Sequence, residues 1–397
     1  MQVVGLFAGI GGIERGFGEA LSPGSSPRLL CESWAPAQAV LRDRFPEAEL
    51  HCDVRNLNSI PAGTDVLTAG FPCQDLSQAG KMAGISGPSS GLVNNVFRLL
   101  SNAKGRGATR WVLIENVQNM LCLNGGKAMA HITDELEQLG FRWAYRVVDS
   151  RFTGVPQRRR RIILLASRFE DPLPVLFADD AGERPLSDFR DDAFGFYWTE
   201  GRGGLGWAED AVPTLKGGST VGIPSQPAVW FRNAPISHRF AVPTAEDTEA
   251  LQGLPRGWTI ASQATGKNGP RSKLVGNAVT APVAAWVASR LACPGQVATS
   301  SHPLASGQKW PNAAWGERGI RHSVNVSEYP AHHAYQHLSD LVNYQTAKPL
   351  SFRAINGFRN RLKSGNLGRF PGFREDVDRY FEYQLCSSRP GASLVGA

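Results

Sequence analysis

The chain has 397 residues, 42% of them hydrophobic, and carries 42 Lys and Arg against 35 Asp and Glu for a net charge of +7. That length exceeds one compact core and predicts two domains with a terminal extension, while the positive balance suits a polyanionic partner such as nucleic acid as readily as a merely basic globular protein. No apolar run reaches membrane-spanning length, the first residues lack a basic leader pattern, and six cysteines without a C-x-x-C pair read as free thiols rather than disulfides or a metal site, so a cytoplasmic protein is expected.

Val3 to Ala8 is an apolar run that ends in Gly9-Ile10-Gly11-Gly12, with Ile13, Phe17 and Leu21 following at helical spacing. Strand, glycine turn and helix in that order bring backbone close to a nucleotide-like ligand, although a glycine turn alone is also compatible with a plain tight turn. Leu29-Leu30-Cys31 predicts a second strand, and Glu32 at its end is placed to accept hydrogen bonds from ribose hydroxyls. Trp34 could cover an adenine face. A third strand, Ala48 to Cys52, ends at Asp53, a further acceptor beside the same pocket. Either acid alone reads as a helix N-cap or a solvated loop acid, whereas the two on successive strand ends are better explained by an adenosine site.

Asp65 to Ala69 predicts a buried strand that runs into Gly70-Phe71-Pro72-Cys73-Gln74. Cys73 therefore falls just past a strand's C-terminal end, where open α/β sheets place their chemistry. Pro72 restricts the backbone around the thiol, and Gln74 and Ser77 offer polar groups to a substrate. A lone cysteine in such a place is otherwise a small buried hydrophobe. A helix is expected over Val93 to Leu100, then a strand Trp111 to Ile114 that ends in Glu115-Asn116-Val117, where a partly desolvated carboxylate can hydrogen-bond as an acid.

A helix about Met129 to Leu139 and a strand Phe141 to Val148 precede Gln157-Arg158-Arg159-Arg160-Arg161, which enters strand Ile162 to Ala166. Alternation sends Arg159 and Arg161 to one side and Arg158 and Arg160 to the other, so one pair can reach a catalytic pocket while the other meets phosphate. From Phe169 to about Arg239 periodicity fades into Gly, Pro and Trp, as in a small loop-rich domain. Thr244-Ala245-Glu246-Asp247 opens a capped helix that runs to Leu251-Gln252-Gly253, and Gly276-Asn277-Ala278-Val279 leads into an apolar helix, Pro282 to Leu291. Beyond Pro294 a Gly/Ser/Pro-rich linker precedes a segment, 301–397, with 12 basic against 7 acidic residues and interspersed aromatics such as Trp310, Tyr344 and Phe358. That composition suits a nucleic-acid surface and equally a small helical appendage.

In their order, Phe7–Gly12, Gly70–Gln74, Glu115–Val117, Gln157–Arg161, Leu251–Gly253 and Gly276–Val279 resemble the motifs of the DNA (cytosine-5) methyltransferases, of the bacterial type II modification kind, across about residues 1–292. The resemblance implies a doubly wound, Rossmann-like α/β sheet whose last strand is antiparallel, with a small target-recognition domain. The boundaries expected are 1–168 for the catalytic domain, 169–265 for recognition, 266–293 for the return to the large domain and 294–397 for linker and extension. It implies S-adenosylmethionine as cofactor, held by Phe7, Gly9, Ile10, Gly11, Glu32, Trp34, Asp53, Val54, Pro72, Asn277 and Val279, and no metal.

It also implies Cys73 as nucleophile, Glu115 on the base's N3 and amino group, Arg161 and Arg159 beside its O2 or the thiolate, and Gln74, Ser77, Arg158 and Gln252 on the substrate. Double-stranded DNA is then the partner of a monomer, with a cognate endonuclease acting independently, in a cytoplasmic and nucleoid-associated setting. A tRNA cytosine methyltransferase, which carries a Cys-Phe-Thr signature absent from this sequence, and a non-catalytic DNA-binding regulator are the alternatives.

Overall fold

The computed structural model describes residues 1–23, 25–72, 91–103, 108–200, 204–217, 226–265, 270–305 and 307–387. Strand and helix alternate from the start, as β1 (Gln2–Leu6), α1 (Gly12–Ala20), β2 (Ser26–Cys31), α2 (Ala35–Arg44), β3 (Glu49–His51), β4 (Val66–Ala69), α3 (Gly91–Asn102), β5 (Trp111–Val117), α4 (Lys127–Gln138) and β6 (Arg142–Asp149). Next come β7 (Gln157–Arg158), β8 (Arg160–Ser167), the short α5 (Leu173–Leu176), β9 (Ala193–Phe196), β10 (Ala208–Glu209), β11 (Val212–Pro213), β12 (Ala228–Phe231) and β13 (Phe240–Val242). Helices α6 (Ala245–Leu251), α7 (Arg271–Asn277) and α8 (Ala281–Ala292) precede β14 (Ser301–Pro303), β15 (Ala313–Glu317) and β16 (Ile320–Val324). The last elements are α9 (Leu338–Leu341), β17 (Lys348–Pro349), α10 (Phe352–Gly365) and α11 (Phe373–Ser387).

The large sheet has the order β14-β16-β15-β6-β8-β5-β4-β1-β2-β3. Strands β3, β2, β1, β4 and β5 are parallel, and the interior ones are continuous apolar runs because helices cover both faces. Strand β8 runs antiparallel between β5 and β6. Only residues 150–159 link β6 to β8, too few for a crossover, so the chain must return antiparallel. On one face, α3 and α4 bury Val93, Val96, Leu99, Met129, Ile132 and Leu136. On the other, α1 and α8 bury Ile13, Phe17, Val283 and Val287. A Cβ on Gly16 would lie 2.3 Å from the Ala281 carbonyl oxygen, so the α1–α8 contact requires glycine there.

The second sheet, β10-β9-β12-β13-β17, is antiparallel. Its period-2 alternation divides it between two cores. Ala193, Val229, Phe231 and Ala241 face a core shared with Leu251, Leu274, Val275 and Ile10, whereas Phe194, Phe196, Trp230 and Phe240 face Ile355, Phe358, Leu362, Phe373 and Tyr380 of α10 and α11.

The chain beyond Cys293 is therefore not the separate appendage expected from its composition. Strand β15 pairs with β6 and carries β16 and β14 with it, while β17, α10 and α11 complete the small sheet. Trp310 packs edge-on against Trp143 and Tyr145 of β6, and Arg146, fully buried on β6, donates to the Ser327 carbonyl at 2.9 Å. The strands are short, and the pairings that tie them to the rest of the chain, β15 with β6 and β17 with β13, reach far back in the sequence, so a local reading of Gly, Ser and Pro sees only a linker. The small domain is accordingly completed by β17, α10 and α11, which follow Leu251 by nearly a hundred residues.

Candidate active site

After β1 the backbone turns through left-handed conformations at Phe7 (φ 55°), Gly9 (φ 58°) and Gly11 (φ 77°). A Cβ on Gly9 would meet nothing within 4 Å, so the loop opens onto space at that point. The Glu32 carboxylate, at the end of β2, accepts hydrogen bonds from the Gly9 N–H at 2.9 Å and the Trp34 N–H at 2.8 Å. Burial raises its pKa against the lowering effect of those bonds. Glu32 thus fixes the loop while retaining lone pairs for a ligand. Phe7 stands edge-on to Phe71, 6.3 Å between ring centroids, which joins this loop to the chain leaving β4.

The other residues expected at the cofactor divide. Trp34 precedes α2, and the Lys273 ammonium lies 5.0 Å from its ring centroid. Asp53 caps the short turn Val54–Asn56 and clasps the Arg55 guanidinium at 2.6 Å, which holds its carboxyl below the usual range. Ile10 and Val54 are core side chains, 1% and 4% exposed, and the Ile10 carbonyl accepts from the Trp258 indole at 2.9 Å. These two can meet a ligand only through backbone, because their side chains already fill the interior. Pro72 is exposed at the end of the described segment. Cys73, Gln74 and Ser77 lie outside the described residues. Asn277 is exposed beside Gly217, and the Val279 carbonyl abuts Gly12 at the start of α1.

Glu115 stands opposite Ile163 across β5 and β8. Arg161, two residues before Ile163, shares that face. Its Nε lies 3.1 Å from Glu115 Oε1, with the two side chains 15% and 10% exposed. That oxygen accepts no aligned hydrogen bond among the described residues, so the contact is one of charge and leaves the carboxylate able to bond a substrate. Glu115, Arg159, Arg161, Ser150, Val279 and Thr280 line one cavity. The neighbouring Asn116 donates from its side-chain amide to the Phe71 carbonyl at 3.2 Å. Strand β5 is thereby tied to the segment that leads into Cys73, a link the sequence signals only through Asn116 following Glu115.

The alternation expected of the four arginines holds, but its consequences differ in part. Arg158 donates to the Gly206 carbonyl at 3.1 Å and Arg160 pairs with Glu328 at 2.6 Å, so both are occupied by protein. Arg159, 3% exposed, donates to the carbonyls of Leu215, Gly276 and Ala278 at 3.1, 3.3 and 2.5 Å. Burial lowers its pKa to about 9. Arg159 lines the pocket yet spends its donors on joining the small domain to the chain after α7. It acts as a positioning residue.

Gln252 is corrected likewise. Expected on the substrate, it is wholly buried, donates to the Val275 carbonyl at 2.9 Å and accepts from Gln157 at 3.0 Å and from the Thr280 hydroxyl at 2.7 Å. Gln157 also accepts from the Leu215 N–H at 3.0 Å. A motif glutamine was expected to face the substrate, whereas these amides satisfy backbone groups where four segments converge. Gln252→Ala should leave the Thr280 hydroxyl without its acceptor and remove one bond each from Gln157 and the Val275 and Ala278 carbonyls, lowering stability by about 1–3 kcal/mol. An unchanged midpoint of urea unfolding would refute this role.

Glu14 was missed altogether. It is 2% exposed, and one carboxylate oxygen accepts from the Thr68 hydroxyl at 3.1 Å while the other has no partner among the described residues. Burial raises its pKa to about 7 from the 4.5 of an exposed glutamate. A folded value above the unfolded one contributes stability that is full below about pH 4.5 and is lost as pH rises through about 7. Glu14→Gln should therefore gain on the wild type between pH 5 and 9, by up to about 3 kcal/mol. Parallel pH profiles of denaturant unfolding for the two proteins would contradict this.

The profile of the C-5 cytosine-specific DNA methylases matches residues 1–189. A type II methyltransferase of Bacillus subtilis (strain 168), M2.BsuMI, is 42% identical over 395 residues, spanning 97% of this chain and 99% of that protein. The chain belongs to the C-5 cytosine-specific DNA methylase family. It is a DNA (cytosine-5) methyltransferase with the Rossmann-like fold of that family. The likeness to M2.BsuMI takes in the C-terminal strands and helices, whereas M.BsuFI of Bacillus subtilis is 34% identical over 167 residues, 42% of this chain and 39% of its own. Among solved structures, the Dnmt2 methyltransferase of S. pombe superposes with a TM-score of 0.53 at 17% identity, covering 73% of this methyltransferase and 98% of its own chain, a likeness of fold alone. Membership implies S-adenosylmethionine as methyl donor and duplex DNA as substrate.

Proposed function

We propose that the methyltransferase modifies a cytosine flipped out of a specific duplex sequence through a covalent intermediate with Cys73. The observation that carries this reading is the Glu115–Arg161 pair on one face of β5 and β8, in a cavity whose Val279 wall also abuts the glycine loop. Phe7, Gly9, Glu32, Asn277 and Val279 are the residues that would hold S-adenosylmethionine, and the open space at Gly9 fits such a ligand. When bound, S-adenosylmethionine supplies an electrophilic methyl group on a sulfonium.

Cytosine C5 is a weak nucleophile. The Cys73 thiolate bonds to C6 and converts the ring to an enamine, whose electron density moves to C5. Glu115 hydrogen-bonds N3 and the exocyclic amine and stabilises the charge that develops there. Arg161 holds Glu115 and lies beside O2, and Arg159 keeps Arg161's strand against the small domain. Once C5 carries the methyl group its proton passes to solvent water, the C–H electron pair re-forms the C5=C6 bond, the C6–S bond breaks to return the Cys73 thiolate, and 5-methylcytosine leaves. Because C6 is inaccessible in stacked DNA, the base must leave the helix first.

The enzyme is proposed to work as a monomer in the cytoplasm, on nucleoid DNA, beside an endonuclease that acts independently. No helix among the described residues is long and apolar enough to cross a membrane. A target duplex with 5-fluorocytosine at the methylated position tests the mechanism, since fluorine cannot leave as a proton does. A denaturation-resistant protein–DNA complex whose cross-linked peptide contains Cys73 is expected. Turnover without such a complex would refute the covalent route.

A further inference from the structure

The glycine loop between β1 and α1 is held from two directions. Glu32 receives the Gly9 N–H at 2.9 Å, and the Trp258 indole, 248 residues further along the chain, donates to the Ile10 carbonyl at 2.9 Å. Trp258 is 6% exposed and stands edge-on to Phe45, with ring centroids 6.1 Å apart. A Cβ on Gly11 would lie 2.2 Å from that same Phe45 ring. Phe45 and Trp258 therefore wall the loop at Gly11 and Ile10, whereas at Gly9 it is open.

The segment that delivers Trp258 is braced on both sides of it. Glu249 of α6, wholly buried, accepts from the Gly257 N–H at 2.6 Å, the Thr259 N–H at 2.9 Å and the Arg271 guanidinium of α7 at 2.8 Å. Arg44, the last residue of α2, donates to the Gly257 and Trp258 carbonyls at 2.6 and 3.0 Å, and its guanidinium carbon lies 5.0 Å from the indole centroid. Any large apolar side chain could fill this part of the core. Only a donor can satisfy the carbonyl it faces, and a phenylalanine would not. The loop needs such a restraint because Phe7, Gly9 and Gly11 all have positive φ, and for Phe7 that conformation persists only where its surroundings impose it.

We infer that Trp258 is a positioning residue for S-adenosylmethionine: its indole N–H fixes the Ile10 carbonyl and so keeps the loop in the conformation that receives the cofactor. The inference rests on the reading of that loop as the cofactor site. It adds a residue from the segment after α6, whose core also contains Val229 and Phe231 of the small sheet. The shape of the cofactor loop therefore depends on a correctly docked small domain. A loop held in advance binds without the cost of ordering, and a loop that is only partly populated in the competent shape binds more weakly in proportion.

Isothermal titration of the full-length protein with S-adenosylmethionine tests the assignment. Trp258→Phe keeps an aromatic ring in the core and removes the donor, so Kd should rise by about 5- to 10-fold. KM for the cofactor should rise with it, while kcat at saturating cofactor stays within about two-fold of the wild type. A side chain that merely fills the core would lower the urea midpoint and leave the Kd of the folded protein at its wild-type value, and that result overturns the inference. Arg44→Gln frees the Gly257 and Trp258 carbonyls with the indole still present, and should raise Kd by about two-fold or more. Should Trp258→Phe not fold, an unchanged Kd in Arg44→Gln overturns the inference in its place. Wild-type protein that binds no S-adenosylmethionine refutes the cofactor site itself, whereas wild-type binding matched by Trp258→Phe refutes only the role of Trp258.

Discussion

Glutamine in place of Glu115 is expected to lower the methylation rate by about 10² to 10⁴, the range associated with loss of a positioned acid or base. The side chain keeps its volume but loses the charge that faces Arg161 3.1 Å away, and it can no longer share a proton with N3 as addition at C6 pushes electron density onto that nitrogen. Cofactor affinity should change little. Glu115 stands on the β5–β8 face, whereas the contacts around the glycine loop are made by Glu32 at the end of β2. Single-turnover methylation alongside cofactor titration checks both halves. Collapse of cofactor binding with a normal rate for saturated enzyme would place Glu115 in the cofactor site and dismantle the pocket proposed above.

Cys73→Ser should reduce methylation below detection while cofactor and DNA binding persist. The hydroxyl is nearly isosteric but far less nucleophilic, because a thiolate forms readily near neutral pH and an alkoxide does not. The chain approaching Cys73 is well anchored, with Phe71 buried and its carbonyl bonded to Asn116, so a one-atom change two residues on should leave the fold intact. Gel-shift affinity with a radiolabelled methyl-transfer assay separates the outcomes. Methylation surviving at a substantial fraction of the wild-type rate would remove Cys73 from the mechanism.

The parts of the fold that could be read in the sequence are those with local signals. The run Val66–Ala69, the glycine turn before α1 and the capping box at Thr244 and Asp247 each announce an element within a few residues, and each forms where expected. Alternation along the arginine run correctly set Arg159 and Arg161 on the pocket side. What local signals could not disclose is where donors go once distant segments meet. Arg159 and Gln252 look like substrate contacts until Leu215, Gly276 and Ala278 arrive beside them. Glu14 looks like an acid in the first turn of an amphipathic helix, and only the adjacent strands β1 and β4, through Gly5 and Thr68, enclose it. The same limit hides β15, whose partner β6 lies far earlier in the chain.

Bisulfite sequencing of plasmid DNA from a host expressing the wild-type chain, in parallel with the Cys73→Ser variant, tests the central claim most directly. The account predicts cytosines protected from conversion at one position of a single recurring sequence with the wild type, and complete conversion with the variant. Complete conversion in both, or equal protection in both, would contradict it.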